Sequence, residues 1–184
     1  MVSGRTLLPA LLLLTCAAAP AAAQSRSTWF AGVGVSLPAA EFASYANTGW
    51  DAAVGWERRL GHNPVALRLD GSYGVNSDST DLGFHERTTL LTGIVSLVYH
   101  FDGAKPHLYA LAGAGYFRHH FSSDDPAEVP ETISQLALQF GEGLTFTVGS
   151  MALFVEGRLV TSFGSNRLQF FPLMAGVRLG SSSR

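Results

Sequence analysis

Apolar side chains recur at every second position through eight separate segments of this chain, and that periodicity excludes most folds at once. Successive strand side chains point to opposite faces, so each such segment reads as a strand with one apolar and one mixed face. The alternation places strands near 28–36, 48–60, 64–76, 88–101, 106–118, 133–147, 151–163 and 168–180. Each has about the 9–11 residues that a tilted strand needs to cross a bilayer. The chain is 47% hydrophobic, yet nothing after residue 24 approaches the roughly 20 apolar residues of a membrane helix. Alternating strands account for that apolar content without helices.

The second segment shows the pattern most plainly. Trp50, Ala52, Val54 and Trp56 share one face, while Asp51, Ala53, Gly55, Glu57 and Arg59 share the other. In the third, Val65, Leu67, Leu69 and Tyr73 oppose Ala66, Arg68, Asp70 and Ser72. The seventh sets Leu153, Val155 and Leu159 against Glu156 and Arg158. The last sets Phe171, Leu173, Val177 and Leu179 against Met174, Gly176 and Arg178. The fourth and fifth carry apolar residues on both faces.

Ahead of the strands, Arg5 and an apolar stretch from Leu7 to Leu14 precede Ala21-Ala22-Ala23, the small residues of an export cleavage site. Residues 1–23 are therefore expected to be a cleaved signal peptide, with 24–184 as the barrel domain. Cys16 is the only cysteine and falls in that leader, so no disulfide or thiolate chemistry is expected of the mature chain. The formal charge of −2 carries no basic footprint for nucleic acid.

The connections alternate in length. Gly61-His62-Asn63, Asp102 to Lys105 and Gly149-Ser150 are short, whereas 37–47, 77–87 and 119–132 are long and polar. Outer-membrane barrels have short periplasmic turns and longer external loops, and an N-terminus on the periplasmic side puts every connection in its proper place. Aromatic residues gather towards strand ends. Trp29, Trp56, Tyr99, Phe101 and Phe146 would form a periplasmic ring, and Trp50, Tyr73, Tyr116 and Phe163 an outer one.

Alternation alone does not say which face is inside, because a soluble lipocalin-like carrier has the opposite polarity. The charges favour a membrane barrel. Asp51, Glu57, Asp70 and Glu156 share the polar face with Arg59, Arg68, Arg158 and Arg178, four acids for four arginines. Enclosed charges need partners, and arginine suits this with its two-point grip on carboxylates. These eight residues are expected to form a structural ion-pair network in the lumen. Gly32, Gly34, Gly55, Gly74, Gly141, Gly143 and Gly176 share the inward parity and make room for them. An eight-stranded lumen is just wide enough for side chains to fill, so a plugged interior is expected. Glu142 has the parity of Phe140 and Leu144 and would face lipid unless a bulge turned it inward.

Several segments together resemble the bacterial outer-membrane β-barrel superfamily of the OmpA transmembrane domain, OmpX and opacity-type proteins. They are Ala31-Gly32-Val33-Gly34-Val35, Pro106-His107-Leu108-Tyr109 through Ala112-Gly113-Ala114-Gly115-Tyr116, Phe140-Gly141-Glu142-Gly143-Leu144 and Ala175-Gly176-Val177-Arg178-Leu179. The resemblance implies an all-β, eight-stranded antiparallel up-and-down transmembrane barrel in the cell outer membrane. It also implies lipid and lipopolysaccharide as surroundings and insertion by the barrel-assembly machinery. Members commonly end on an aromatic residue, where this chain has Leu179 followed by Gly180 to Arg184.

One cluster has a catalytic look. His120-Phe121-Ser122 mimics the His-x-Ser pair of outer-membrane lipid A deacylases, with Glu128 or Glu131 available to orient the histidine. In that family Asn follows the serine, whereas Ser123 stands here. His119, His120, Asp124, Asp125 and Glu128 lack the spacing of a known metal motif. No enzyme activity, cofactor or metal is therefore expected, and a non-enzymatic envelope or surface-contact protein is the leading reading. An OmpW-like conduit for small apolar molecules, drawing on inward Leu90, Ile94, Val98 and Phe154, is the alternative.

Overall fold

A computed structural model describes residues 27–44, 46–78, 86–101, 103, 105–123, 130–148, 151–164 and 167–180. Eight strands follow in order: β1 (Ser27–Ala39), β2 (Gly49–Arg59), β3 (Val65–Asp78), β4 (Glu86–His100), β5 (His107–Ser123), β6 (Glu131–Val148), β7 (Met151–Phe163) and β8 (Gln169–Gly180). Each pairs antiparallel with its neighbours in sequence, and β8 closes on β1 to give an up-and-down barrel. The expected leader over 1–23, with Cys16, lies outside the described residues, as do Asp81, Asp124, Asp125, Glu128 and the Gly149-Ser150 turn.

The register fixes the shape of the cylinder. Partners of Trp29 run through Trp56, Leu69, Val95, Ala114, Leu138, Thr161 and Gln169, and return to β1 at Ala39, ten residues beyond the start. A stagger of that size over eight strands tilts them by about 40° to the barrel axis and leaves a narrow interior.

The strands outrun the hydrophobic alternation at the outer end. β5 reaches Ser123 and β6 begins at Glu131, five and two residues beyond the expected limits of 118 and 133. β1 continues to Ala39, and a 3-10 turn over Ala40–Ser44 occupies what reads in the sequence as open loop. The reason is physical. Alternation of hydrophobicity stops where the lipid stops, while the backbone ladder goes on pairing in water. At the opposite end Gly61 takes a positive φ of 70° in the β2–β3 turn, which costs glycine nothing.

Apolar side chains face outward. Trp29, Val33, Val54, Leu69, Leu97 and Leu136 are all more than half exposed. A belt of that kind around a whole molecule needs lipid, because soluble proteins seldom expose large continuous apolar patches. Trp29, Tyr99, Phe101 and Phe146 project at one end, and Trp50, Tyr73, Tyr116 and Phe163 at the other. The lipocalin-like polarity, with apolar side chains inside and charges outside, is thereby overturned.

Candidate functional site

The buried inward residues form a plug in layers. At its centre Glu57 on β2 accepts hydrogen bonds from Arg68 Nε at 3.0 Å and Nη2 at 2.8 Å, and from Arg178 Nη2 at 2.5 Å. Its other oxygen meets His100 Nε2 at 2.9 Å. Arg68 also reaches Glu156 on β7 at 2.6 Å, and the same Glu156 oxygen accepts the Tyr109 hydroxyl at 2.6 Å. Arg158 bridges Glu156 through its Nε and Asp70 through its Nη1, the latter at 2.7 Å. Gln139 donates to Ser96 at 2.8 Å beside Asp70. The guanidiniums of Arg68 and Arg178 lie 5.2 Å and 4.9 Å from the Tyr109 ring centre, and Arg68 lies 4.7 Å from that of Phe30. All eight strands contribute to this assembly.

Its construction follows from local sequence. A short turn between β2 and β3 sets Glu57 directly opposite Arg68. Gly143 leaves a hollow that the Tyr109 ring enters, and Gly55 leaves one for Phe30, whose ring a Cβ there would meet at 2.5 Å. Buried ions survive only when each has close, well-directed partners, and arginine forks provide them here.

Two of the eight expected members stand apart. Arg59 is the last residue of β2, paired with Ala66 at the rim, where it is half-buried and has no ion-pair partner among the described residues. The turn carries the strand out of the lumen before its side chain can join. Asp51 is fully buried, but neither carboxylate oxygen has a hydrogen-bond partner among the described residues. Three acids and three arginines therefore interlock, not four and four. Arg178 sits on the strand beside Glu156, yet the register places it opposite Ala152, and it crosses to Glu57 instead. Ser96, His100 and Tyr109 escape sequence reasoning because apolar residues occupy both faces of β4 and β5, and Gln139, on β6, escapes it because it carries no charge to mark it as a network member.

Above the charges lies an apolar cap. Phe42, from the 3-10 turn, is completely buried and clusters with Leu90, Phe117, Val160, Leu168 and Phe170. Leu90, Val98 and Phe154 belong to three different buried clusters. Glu142 faces outward, exposed, between Ala110 and Gly157, and no bulge turns it in.

The histidine cluster divides between the two faces. His119 is buried against Phe117, with ring centres 5.7 Å apart, while His120 is exposed and its Nδ1 meets the Thr132 hydroxyl at 2.8 Å. The His120 ring bonds to Thr132 and not to Ser122, which lies opposite Arg87. Among the described residues no group of three or more His, Cys, Asp or Glu could hold a metal ion.

The family described as outer membrane protein beta-barrel domain matches residues 8–180. The chain belongs to that family. This outer-membrane barrel is similar in structure to Neisserial surface protein A, with a TM-score of 0.60 and 15% identity over 84% of this chain and 97% of that one. A major outer membrane protein of Thermus thermophilus gives a TM-score of 0.62 and 16% identity over 85% and 99% of the two chains. Ail of Yersinia pestis, solved with the heparin analogue sucrose octasulfate, gives 0.56 and 16% over 84% and 99%. Identities this low show a shared fold. No functionally curated protein matches the chain. The protein is thus an integral β-barrel of the outer membrane.

Proposed function

We propose that this outer-membrane barrel is a non-enzymatic envelope protein that acts through its outer surface and external connections, with the lumen serving as a rigid strut. The observation that carries the reading is the filled interior. Ion pairs drawn from strands on every side occupy the lower lumen, and Phe42 with its neighbours closes the upper part. A strut of this kind lets loops vary in sequence while their bases stay fixed. The Yersinia pestis barrel solved with a sulfated sugar analogue is one example of this fold with a bound ligand.

The test is a set of barrels in which residues 79–85 and 124–129 are replaced by Gly-Ser segments of equal length. Loss of surface binding or envelope resistance with an unaltered, detergent-resistant barrel is the expected result. Full activity in the loop-replaced protein would overturn the reading. Lipid A composition is expected to be the same in cells carrying His120→Ala, Ser122→Ala or the unmodified chain; a change would put the deacylase reading back in force.

A further inference from the structure

The outer wall carries a charge pattern that neither the plug nor the loops account for. On β4, β5 and β6 the outward side chains Leu91, Tyr116 and Leu136 mark the upper limit of the apolar belt, and all three are exposed. Beyond them the same face holds Thr89 and Arg87 on β4, Arg118, His120 and Ser122 on β5, and Ser134 on β6. No carboxylate interrupts this patch among the described residues. Glu131, at the start of β6, has the inward parity.

The register makes the patch a stripe. Arg118 and His120 are alternate residues of β5, about 7 Å apart. Arg87 opposes Ser122 and so lies diagonal to His120, about 7–8 Å away. Arg118 sits two residues beyond Tyr116, which places it about 5 Å farther out along the tilted strand. That is headgroup depth, directly above an aromatic ring of the kind that marks a membrane interface. Arg87 and Arg118 are exposed and have no ion-pair partner among the described residues, in contrast to Arg68, Arg158 and Arg178 in the lumen. His120 is steadied through Nδ1 by Thr132, which leaves its second ring nitrogen for another contact.

We propose that the outward stripe Arg118–His120–Arg87 is a binding site for the phosphate groups of lipopolysaccharide lipid A in the outer leaflet. Guanidiniums at headgroup depth engage phosphate by paired hydrogen bonds, and the neighbouring hydroxyls complete the shell. The stripe is long enough to contact two phosphates of one lipid, Arg118 holding the deeper and Arg87 the outer. The site gives the barrel a fixed lipid neighbour on its β4–β6 side. It goes beyond the role proposed above and stands whether or not the loops bind anything.

The test uses the full barrel in phosphatidylcholine nanodiscs doped with bis-phosphorylated lipid A or with its dephosphorylated form. Lipid retained per barrel is measured after mild detergent extraction. The unmodified protein is expected to retain the phosphorylated form at least about tenfold better, and Arg87→Gln with Arg118→Gln to abolish that preference. Arg58→Gln, an exposed outward arginine at the periplasmic end, is expected to change nothing, and boiled-against-unboiled gel mobility confirms that each variant is folded. Equal retention of both lipid forms, or an unaffected double variant, would overturn the proposal. So would a double variant that loses only binding of inorganic phosphate or a sulfated sugar, because the site would then serve a soluble anion.

Discussion

Glu57 is the point in the lumen where two guanidiniums and an imidazole meet. Arg68, Arg178 and His100 all converge on it, at 2.8, 2.5 and 2.9 Å. Removing one partner of a buried ion pair strands the others, so Glu57→Ala is expected to cost about 3–5 kcal/mol in urea unfolding from lipid or detergent. Arg59→Ala, two residues away at the rim, is expected to fall within about 0.5 kcal/mol of the unmodified barrel. Equal effects at the two positions would mean that the interlocked geometry carries no energy. Gly143 is a second sensitive position. A valine there would drive into the Tyr109 ring, which also holds Glu156 and lies beside two guanidiniums. Overpacking of that kind is expected to destabilise by about 1–3 kcal/mol, read as a lower unfolding midpoint at unchanged slope.

Among elements, the 3-10 turn over Ala40–Ser44 does the work of a stopper. Phe42 is completely buried in a cluster that holds residues of β4 to β8, so a single side chain ties the first external connection into that cluster. Phe42→Ala is expected to cost about 3–5 kcal/mol and to speed amide exchange across the outer ends of those strands. Steady conductance in a planar bilayer is expected from neither protein, since the ion-pair layer lies beneath the stopper; an open channel in the variant would show that Phe42 alone seals the barrel. The strands themselves are legible in the sequence wherever lipid imposes alternation, as in Trp50 to Arg59 and Val65 to Asn76. They are not legible beyond it. His119 to Ser123 continue β5 by backbone pairing alone, and hydrophobicity leaves no trace of that. Likewise the turn length between β2 and β3 points to Glu57 facing Arg68, but no local signal sends Arg178 to Glu57. That contact depends on the ten-residue stagger of the closed cylinder, a property of the whole register.

At the scale of the molecule, polarity is reversed relative to a soluble protein: charges inside, leucines and aromatics outside. A barrel built in this way is expected to keep its shape in cold detergent and to lose it on boiling. The unboiled protein is therefore expected to migrate apart from the boiled one on a gel, and to fractionate with membranes. Recovery in the soluble periplasmic fraction would contradict the outward apolar belt.

The plug also bears on how the chain is made. Glu57 and Arg178 are 121 residues apart, and Arg68 and Glu156 are 88 apart. A sheet that stops short of β8 therefore holds Glu57, Asp70 and Glu156 against Arg68 and Arg158 alone, one acid in excess. Only the arrival of the final strand supplies the missing cation, in the same movement that seals the cylinder's seam. Neutralisation and completion are therefore one event: a chain that lacks β8 keeps one acid in excess in its interior, and closing the seam removes it.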